Sequence, residues 1–284
     1  MGVRVRYENA LGAVEMTGDG EGDIRIIKMD GFGLAGREYD TVVYSGYDGQ
    51  ETVRSRALPR AITMAVEFCG LNVAERVRSA LQVLNRKGVL VVEHDEFSRR
   101  ISCSQVTVTD SERILKNRIS TMVIQFVCDS PYFEDAEDTV VALYRRVKLL
   151  ETPFSLPSMF GDIIIGADII VSGAFSVEPV ITLYYPDALE QVESIVITNE
   201  ANGASIRLDY TPSENDVVTV DVKNRKISSS VNGNLIRNLS DDTFLGDFVL
   251  EKGLNVIDVF AGDVSAGFVA ECKYNNLYCE AVIV

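Results

Sequence analysis

Tryptophan is absent from the 284 residues, and histidine occurs once, at His94. Catalysis of the Ser-His-Asp or Cys-His kind needs a base held against a nucleophile. A single histidine between Glu93, Asp95 and Glu96, near a hairpin tip, is a poor platform for that. It is also a weak metal centre, because Glu93 and Asp95 leave a strand on opposite sides. The motifs GxSxG, GxxxxGK[ST] and HExxH are missing. Gly31-Phe32-Gly33 opens like a dinucleotide-binding loop, but Gly36 follows in a segment that does not read as a helix start. Paired carboxylates of the glycosidase kind carry no specificity among 42 acidic residues. The sequence therefore reads as non-enzymatic, with no catalytic residue, no cofactor and no metal.

Other absences set the compartment. The five cysteines, Cys69, Cys103, Cys128, Cys272 and Cys279, are odd in number and form no CxxC pair, which argues against a zinc knuckle or a thioredoxin-like motif. They read as buried, reduced thiols. No apolar run approaches the roughly 20 residues that span a bilayer; the longest, residues 163–171, is broken by Gly166 and Asp168. Met1-Gly2-Val3-Arg4 opens into polar sequence, so no export leader is expected. The Gly18–Asp23 cluster looks like a calcium loop, but Ile24 stands where an EF-hand needs glycine; an acidic hairpin tip is expected instead.

Charge is unevenly spread. Residues 1–134 hold 17 basic and 19 acidic side chains, and residues 135–284 hold 10 and 23. Phosphate contacts need Lys and Arg, so the second half is a poor nucleic-acid binder and well suited to solubility.

What is present is mostly short alternating strands between turn residues. One helix stands out. Val73, Val77, Ala80, Leu81 and Leu84 share a face, Asn72 and Glu75 fit a capping box, and Gly88 fits just past the end. The opposite face carries Arg76, Arg78, Gln82, Arg86 and Lys87. Residues 101–109 switch the parity of their apolar positions, which predicts a β-bulge. Residues 119–128 are apolar on both faces, which predicts a central strand covered on both sides. Residues 25–57, rich in Gly, Tyr and charge with Asp30-Gly31 and Asp48-Gly49 turns, predict an extended arm or hairpins.

The expected fold is mainly β. A sandwich-like first domain with one helix covers residues 1–134, including the arm. An all-β, jelly-roll-like sandwich covers residues 135–284. Exposed tyrosines on a sandwich can stack on sugars, which makes Tyr184, Tyr185 and Tyr274 candidate glycan contacts; the bland alternative is tyrosines of the core and rim.

Several runs then resemble the siphovirus distal tail family. In the first half they are Tyr47-Asp48-Gly49, Arg54, Leu58-Pro59-Arg60-Ala61-Ile62-Thr63-Met64, the helix, the Asn85-Arg86-Lys87-Gly88 turn, and Ile124 through Pro131-Tyr132-Phe133. In the second half they are residues 195–203, Asp216 through Asp221, Val231-Asn232-Gly233-Asn234, and Gly253-Leu254-Asn255-Val256-Ile257. The resemblance implies a structural protein of a phage or prophage virion tail, assembled in the bacterial host cytoplasm. Its first domain would form a homohexameric ring joining the tail tube protein to the tail-tip hub protein or baseplate, with DNA passing through unread. Its second domain would project outward and hold receptor-binding or side-fibre proteins. Neither sequence-specific nucleic-acid binding nor membrane insertion is implied. Asp48, Arg54 and Arg60 are the candidate subunit-interface residues. The alternative function is a carbohydrate-binding or adhesion module that meets the host surface through the second sandwich.

Overall fold

The computed structural model describes residues 2–20, 22–94, 97–110, 118–144, 147–148, 162–163, 167–186, 194–260 and 268–281. The chain forms two compact units. One is Met1–Ala136 together with Leu277–Val284; the other is Glu137–Asn276. The last eight residues, expected in the second domain, therefore belong to the first, and the second unit is an insertion within it.

The first unit contains β1 (Arg4–Asn9), β2 (Gly12–Thr17), β3 (Ile24–Asp30), β4 (Arg37–Val42), β5 (Glu51–Ala57), β6 (Arg60–Cys69), α1 (Val73–Leu84), β7 (Gly88–His94), β8 (Phe97–Cys103), β9 (Gln105–Asp110), β10 (Ile119–Cys128) and β11 (Phe133–Asp135). A ten-stranded sheet runs from the Leu277–Tyr278 strand through β11, β8, β7, β1, β2, β3, β6 and β10 to β9. Period-2 alternation places one side of each strand in the core. On β6 these residues are Ile62, Met64, Val66 and Phe68; on β10 they are Met122, Ile124, Phe126 and Cys128. The helix lays Val73, Ala80, Val83 and Leu84 on the same core. Each fully buried large side chain of this kind stabilises the unit by roughly 1.5–3 kcal/mol.

Four local expectations are corrected. Asn72 is left-handed (φ 59°) and makes no side-chain cap; its carbonyl accepts from the Glu75 and Arg76 amides instead. Gly88 is not the helix stop: it opens β7, where a Cβ would strike the Glu8 carbonyl and the Tyr7 ring. The parity switch after Cys103 is not a bulge. Ser104 separates two strands, since β8 pairs with β7 and β9 with β10. Strand β10 is buried on one side only; Ile119, Thr121, Val123 and Val127 are half-buried and Gln125 is exposed.

The second unit contains β12 (Thr139–Tyr144), β13 (Val147–Lys148), β14 (Asp162–Ile163), β15 (Ala167–Val171), β16 (Val180–Tyr185), β17 (Ile195–Asn199), β18 (Ala204–Leu208), β19 (Asp216–Asp221), β20 (Lys226–Ser229), β21 (Gly233–Asn234), β22 (Gly253–Phe260) and β23 (Val269–Tyr274). A six-stranded sheet has the order β12-β23-β16-β19-β20-β21, and a four-stranded sheet has the order β15-β22-β17-β18. Asn202-Gly203 and Asn232-Gly233 form tight turns between strands, each with its glycine left-handed (φ +72° and +73°). Residues 248–250 follow a short 3-10 helix and make one bridge, Leu250 to Val177.

Among its described residues this unit buries one carboxylate. Asp216 is fully buried and accepts hydrogen bonds from Tyr210 Oη (2.5 Å), Ser229 Oγ (2.7 Å) and Ser230 Oγ (2.9 Å). Burial by itself would raise its pKa. The hydroxyls outweigh burial and hold the carboxyl below its ordinary value of 3.8.

Candidate subunit interface

The segment between β3 and β6 leaves the core and returns to it. Strands β4 and β5 pair only with each other, in an antiparallel hairpin with a bulge after Asp40. The base closes where the Leu58 amide donates to the Gly36 carbonyl at 2.8 Å. Every residue of β4 is exposed, as is β5 up to Arg56. The exposed side chains include Tyr39 (56%), Tyr44 (54%), Tyr47 (80%) and Val53 (64%). An isolated two-stranded hairpin is marginal in water, so an arm this bare, carrying this many large apolar groups, needs a surface to lie on.

Its two faces differ. On one, Arg56 reaches Glu38 (2.5 Å), and Asp40 stands opposite Arg54 in the register. That face neutralises its own charges. The other face carries Tyr39 opposite Ser55, with Arg37 donating to Ser55 Oγ at 3.2 Å. Asp48 and Arg54, two of the three candidate interface residues, are thus placed on the arm and exposed.

Arg60 is placed elsewhere. It is 3% exposed, and all five guanidinium N–H groups are engaged within its own unit. Nε and Nη2 donate to the Pro131 carbonyl (3.0 and 2.7 Å), Nη1 to the carbonyls of Gly31 and Gly33 (2.6 Å each), and Nη2 to that of Cys279 (2.6 Å). The Phe133 ring lies 4.5 Å away. Burial pulls the guanidinium below its usual 12.5, outweighing the opposing influence of Cys128, Cys279 and Glu280 nearby. Arg60 therefore ties the root of the arm to β11 and to the C-terminal strand. A signal for this was present: Arg60 has the same strand parity as Ile62, Met64, Val66 and Phe68, so it points into the core.

The three candidate glycan tyrosines do not form one platform. Tyr184 is 39% exposed, whereas Tyr185 is fully buried and Tyr274 is 6% exposed, its hydroxyl donating to the Ile170 carbonyl at 3.1 Å. His94 stacks on Phe97 with ring centroids 5.4 Å apart; its neighbours Asp95 and Glu96 lie outside the described residues. In the acidic Gly18–Asp23 tip, Asp23 pairs with Arg76 at 2.7 Å, and Glu21 lies outside the described residues. Among the described residues, no three His, Cys, Asp or Glu side chains are grouped as metal ligands, and no helix is long and apolar enough to cross a membrane.

An arm with no internal core, locked at its root and bare at its tip, suits a protein that works as one of several copies. Known proteins bear on this. Residues 172–278 match the family described as siphovirus-type tail component, C-terminal domain. The crystal structure of the Dit protein of phage SPP1, described as a paradigm of hub adsorption apparatus in phages infecting Gram-positive bacteria, superposes with a TM-score of 0.68. The match covers 97% of this chain and 98% of that one, at 8% identity. A chain of the phage P2 baseplate in its activated conformation with calcium gives 0.52 over the whole of both chains, at 13% identity. No curated protein matches the sequence. The resemblance to siphovirus distal tail proteins thus extends from short ordered motifs to the fold of both units.

Proposed function

We propose that this chain is a structural component of the distal end of a siphovirus-type tail. Copies of it assemble through the first unit into a hexameric ring that joins the tail tube to the tail tip and leaves a passage for DNA. The partners in this reading are further copies of the chain, the tail tube protein, the tail-tip hub protein and receptor-binding protein held by the second unit. The arm at residues 37–57 lies on the neighbouring copy. The observation that carries the reading is this arm, exposed on both faces, within a fold that matches a tail hub protein over nearly its whole length. No catalytic step belongs to it. The protein resides in the virion tail and is assembled in the host cytoplasm.

The test is solution mass by light scattering, with negative-stain images of the same peak. Six-fold rings with a central hole are expected. A compact monomer at every concentration up to the solubility limit would overturn the reading.

A further inference from the structure

If the arm lies on a second copy, that copy must offer a surface matched to the arm's tip. This inference rests on the ring reading above and goes on to name the contact. Between Thr41 and Val53 the tip holds two acids, Asp48 and Glu51, and no base. Tyr44 and Tyr47 accompany them, and Tyr47 is 80% exposed. Tip and root are chemically distinct: lower on the arm, Glu38 is paired with Arg56, whereas the acids of the tip have no cation beside them in the strand register.

The complement lies on α1. The helix buries Val73, Ala80, Val83 and Leu84 and turns Arg78 and Gln82 outward, with Arg86 and Lys87 exposed just beyond its end. Glu75, in the first turn, is its only acid. Arg76 is already occupied by Asp23 and by the Cys69 carbonyl. Arg78, Arg86 and Lys87 form no ion pair among the described residues. Arg78 stands exposed in the middle of the helix, and Arg86 and Lys87 stand exposed just past its C-terminal end. Leu81 lies on the same outward surface at 36% exposure, an apolar seat for a ring between cations. Within one chain the charges are split, with an uncompensated acidic tip in one place and an uncompensated basic helix face in another. Head-to-tail contacts between identical subunits satisfy such a split, because each copy offers one half and receives the other.

We infer that the arm tip, through Tyr47, Asp48 and Glu51, docks on the basic face of α1 of a second copy at Arg78, Arg86 and Lys87. The contact is heterologous, so it can be repeated around a ring.

The test is a charge swap, read by light scattering at low and high salt. Arg78→Glu with Arg86→Glu, and separately Asp48→Lys with Glu51→Lys, each reduce the assembled mass to that of a monomer. All four side chains are exposed, so the far-ultraviolet spectrum and melting temperature stay those of the parent. Combining the four substitutions in one chain restores the assembled mass. Raising salt from 0.1 M to 1 M shortens the screening length from about 10 Å to about 3 Å and loosens the parent assembly. Two results overturn the inference and leave the ring reading intact: rings that survive either reversal, or reversals that disrupt assembly and are not rescued in combination. A parent chain that never assembles overturns both.

Discussion

Among the described residues each unit buries one charged side chain with no oppositely charged group hydrogen-bonded to it, and the two are satisfied in opposite ways. Arg60 draws its acceptors from Gly31, Gly33, Pro131 and Cys279, the last 219 positions away. Asp216 draws its donors from Tyr210, Ser229 and Ser230, none more than 14 positions away. A buried charge without hydrogen bonds costs several kcal/mol, so each must be fully engaged before its surroundings are stable. For Asp216 the engagement is local and can form early, within one loop and two strands. For Arg60 it requires the chain to return from the second unit. The first unit is therefore closed by residues that follow the second unit in sequence, and its arm is aimed only after that closure.

The largest effect should come from removing the closing segment. Deleting Leu277–Val284 takes away the Cys279 acceptor, the pairing of Phe133 with Tyr278, and the fully buried Ala281 whose amide donates to the Phe32 carbonyl. The first unit should lose its cooperative transition while the second keeps its own. Hydrogen exchange by mass spectrometry would read this segment by segment. Normal protection of β6 and β10 in the truncated chain would defeat the closure argument.

Next in size is Arg60→Met, which keeps length and apolar bulk but strands four carbonyl groups. At about 1–3 kcal/mol for each buried acceptor left unsatisfied, a loss of at least about 3 kcal/mol is expected in the first unit. Arg60→Lys should recover only part of it, because a point charge with three donors cannot reproduce the planar fork. Exchange should rise at the arm root and at β11 together. A rise confined to one of them would mean that Arg60 does not couple the two.

Asp216→Asn is a milder change in the other unit. The side chain keeps its shape but loses charge-assisted acceptance from three hydroxyls, at a cost of about 2 kcal/mol. Protection should fall in β19 and β20 and stay unchanged in the first unit. A loss spread over both units would blur the contrast between local and long-range closure.

How much of this could be read in advance depends on the range of the interaction. The helix face, the tight turns at Gly203 and Gly233 and the bare arm from Arg37 onward all follow from periodicity or from residues within a few positions of one another, whereas residues 25–30, expected in the arm, form part of β3 in the ten-stranded sheet. Adjacent Tyr184 and Tyr185 could not both have faced solvent, because neighbours on a strand point opposite ways; period 2 alone required one of them to be buried. Arg60 and Asp216 betray themselves by standing at core parity in β6 and β19. What stayed hidden was pairing. Leu277–Tyr278 alternates as any sandwich strand would, and nothing local says that its partner is β11 rather than a strand of the second unit. The change of partner at Ser104 looked like a bulge for the same reason, since parity records that a strand is interrupted but not where each half goes. Asn72 went the other way. Its sequence fits a side-chain cap, but it takes a left-handed turn and caps nothing with its side chain.

The smallest effect separates the two charges by pH. Asp216 has a folded-state value below the ordinary 3.8, because the hydroxyl bonds outweigh burial. Its contribution is complete above the ordinary value and is lost as pH falls through the depressed one. Arg60 keeps its proton throughout this range, so the pin of the first unit does not titrate in acid. On the alkaline side the roles converge. Burial raises the Tyr7 hydroxyl of the first unit to about 12, and burial with the nearby Asp216 charge raises Tyr185 and Tyr210 of the second. Each phenol then contributes stability that is complete below 10.0 and fades as pH rises through its elevated value. Denaturant melts of the parent and of Asp216→Asn, at pH 7 and at pH 3, should therefore differ at pH 7 and draw together at pH 3 for the second unit, while the first unit's curves coincide at both. A gap between parent and variant that stays constant down to pH 3 would show that the Asp216 carboxylate is not what the hydroxyls hold in place.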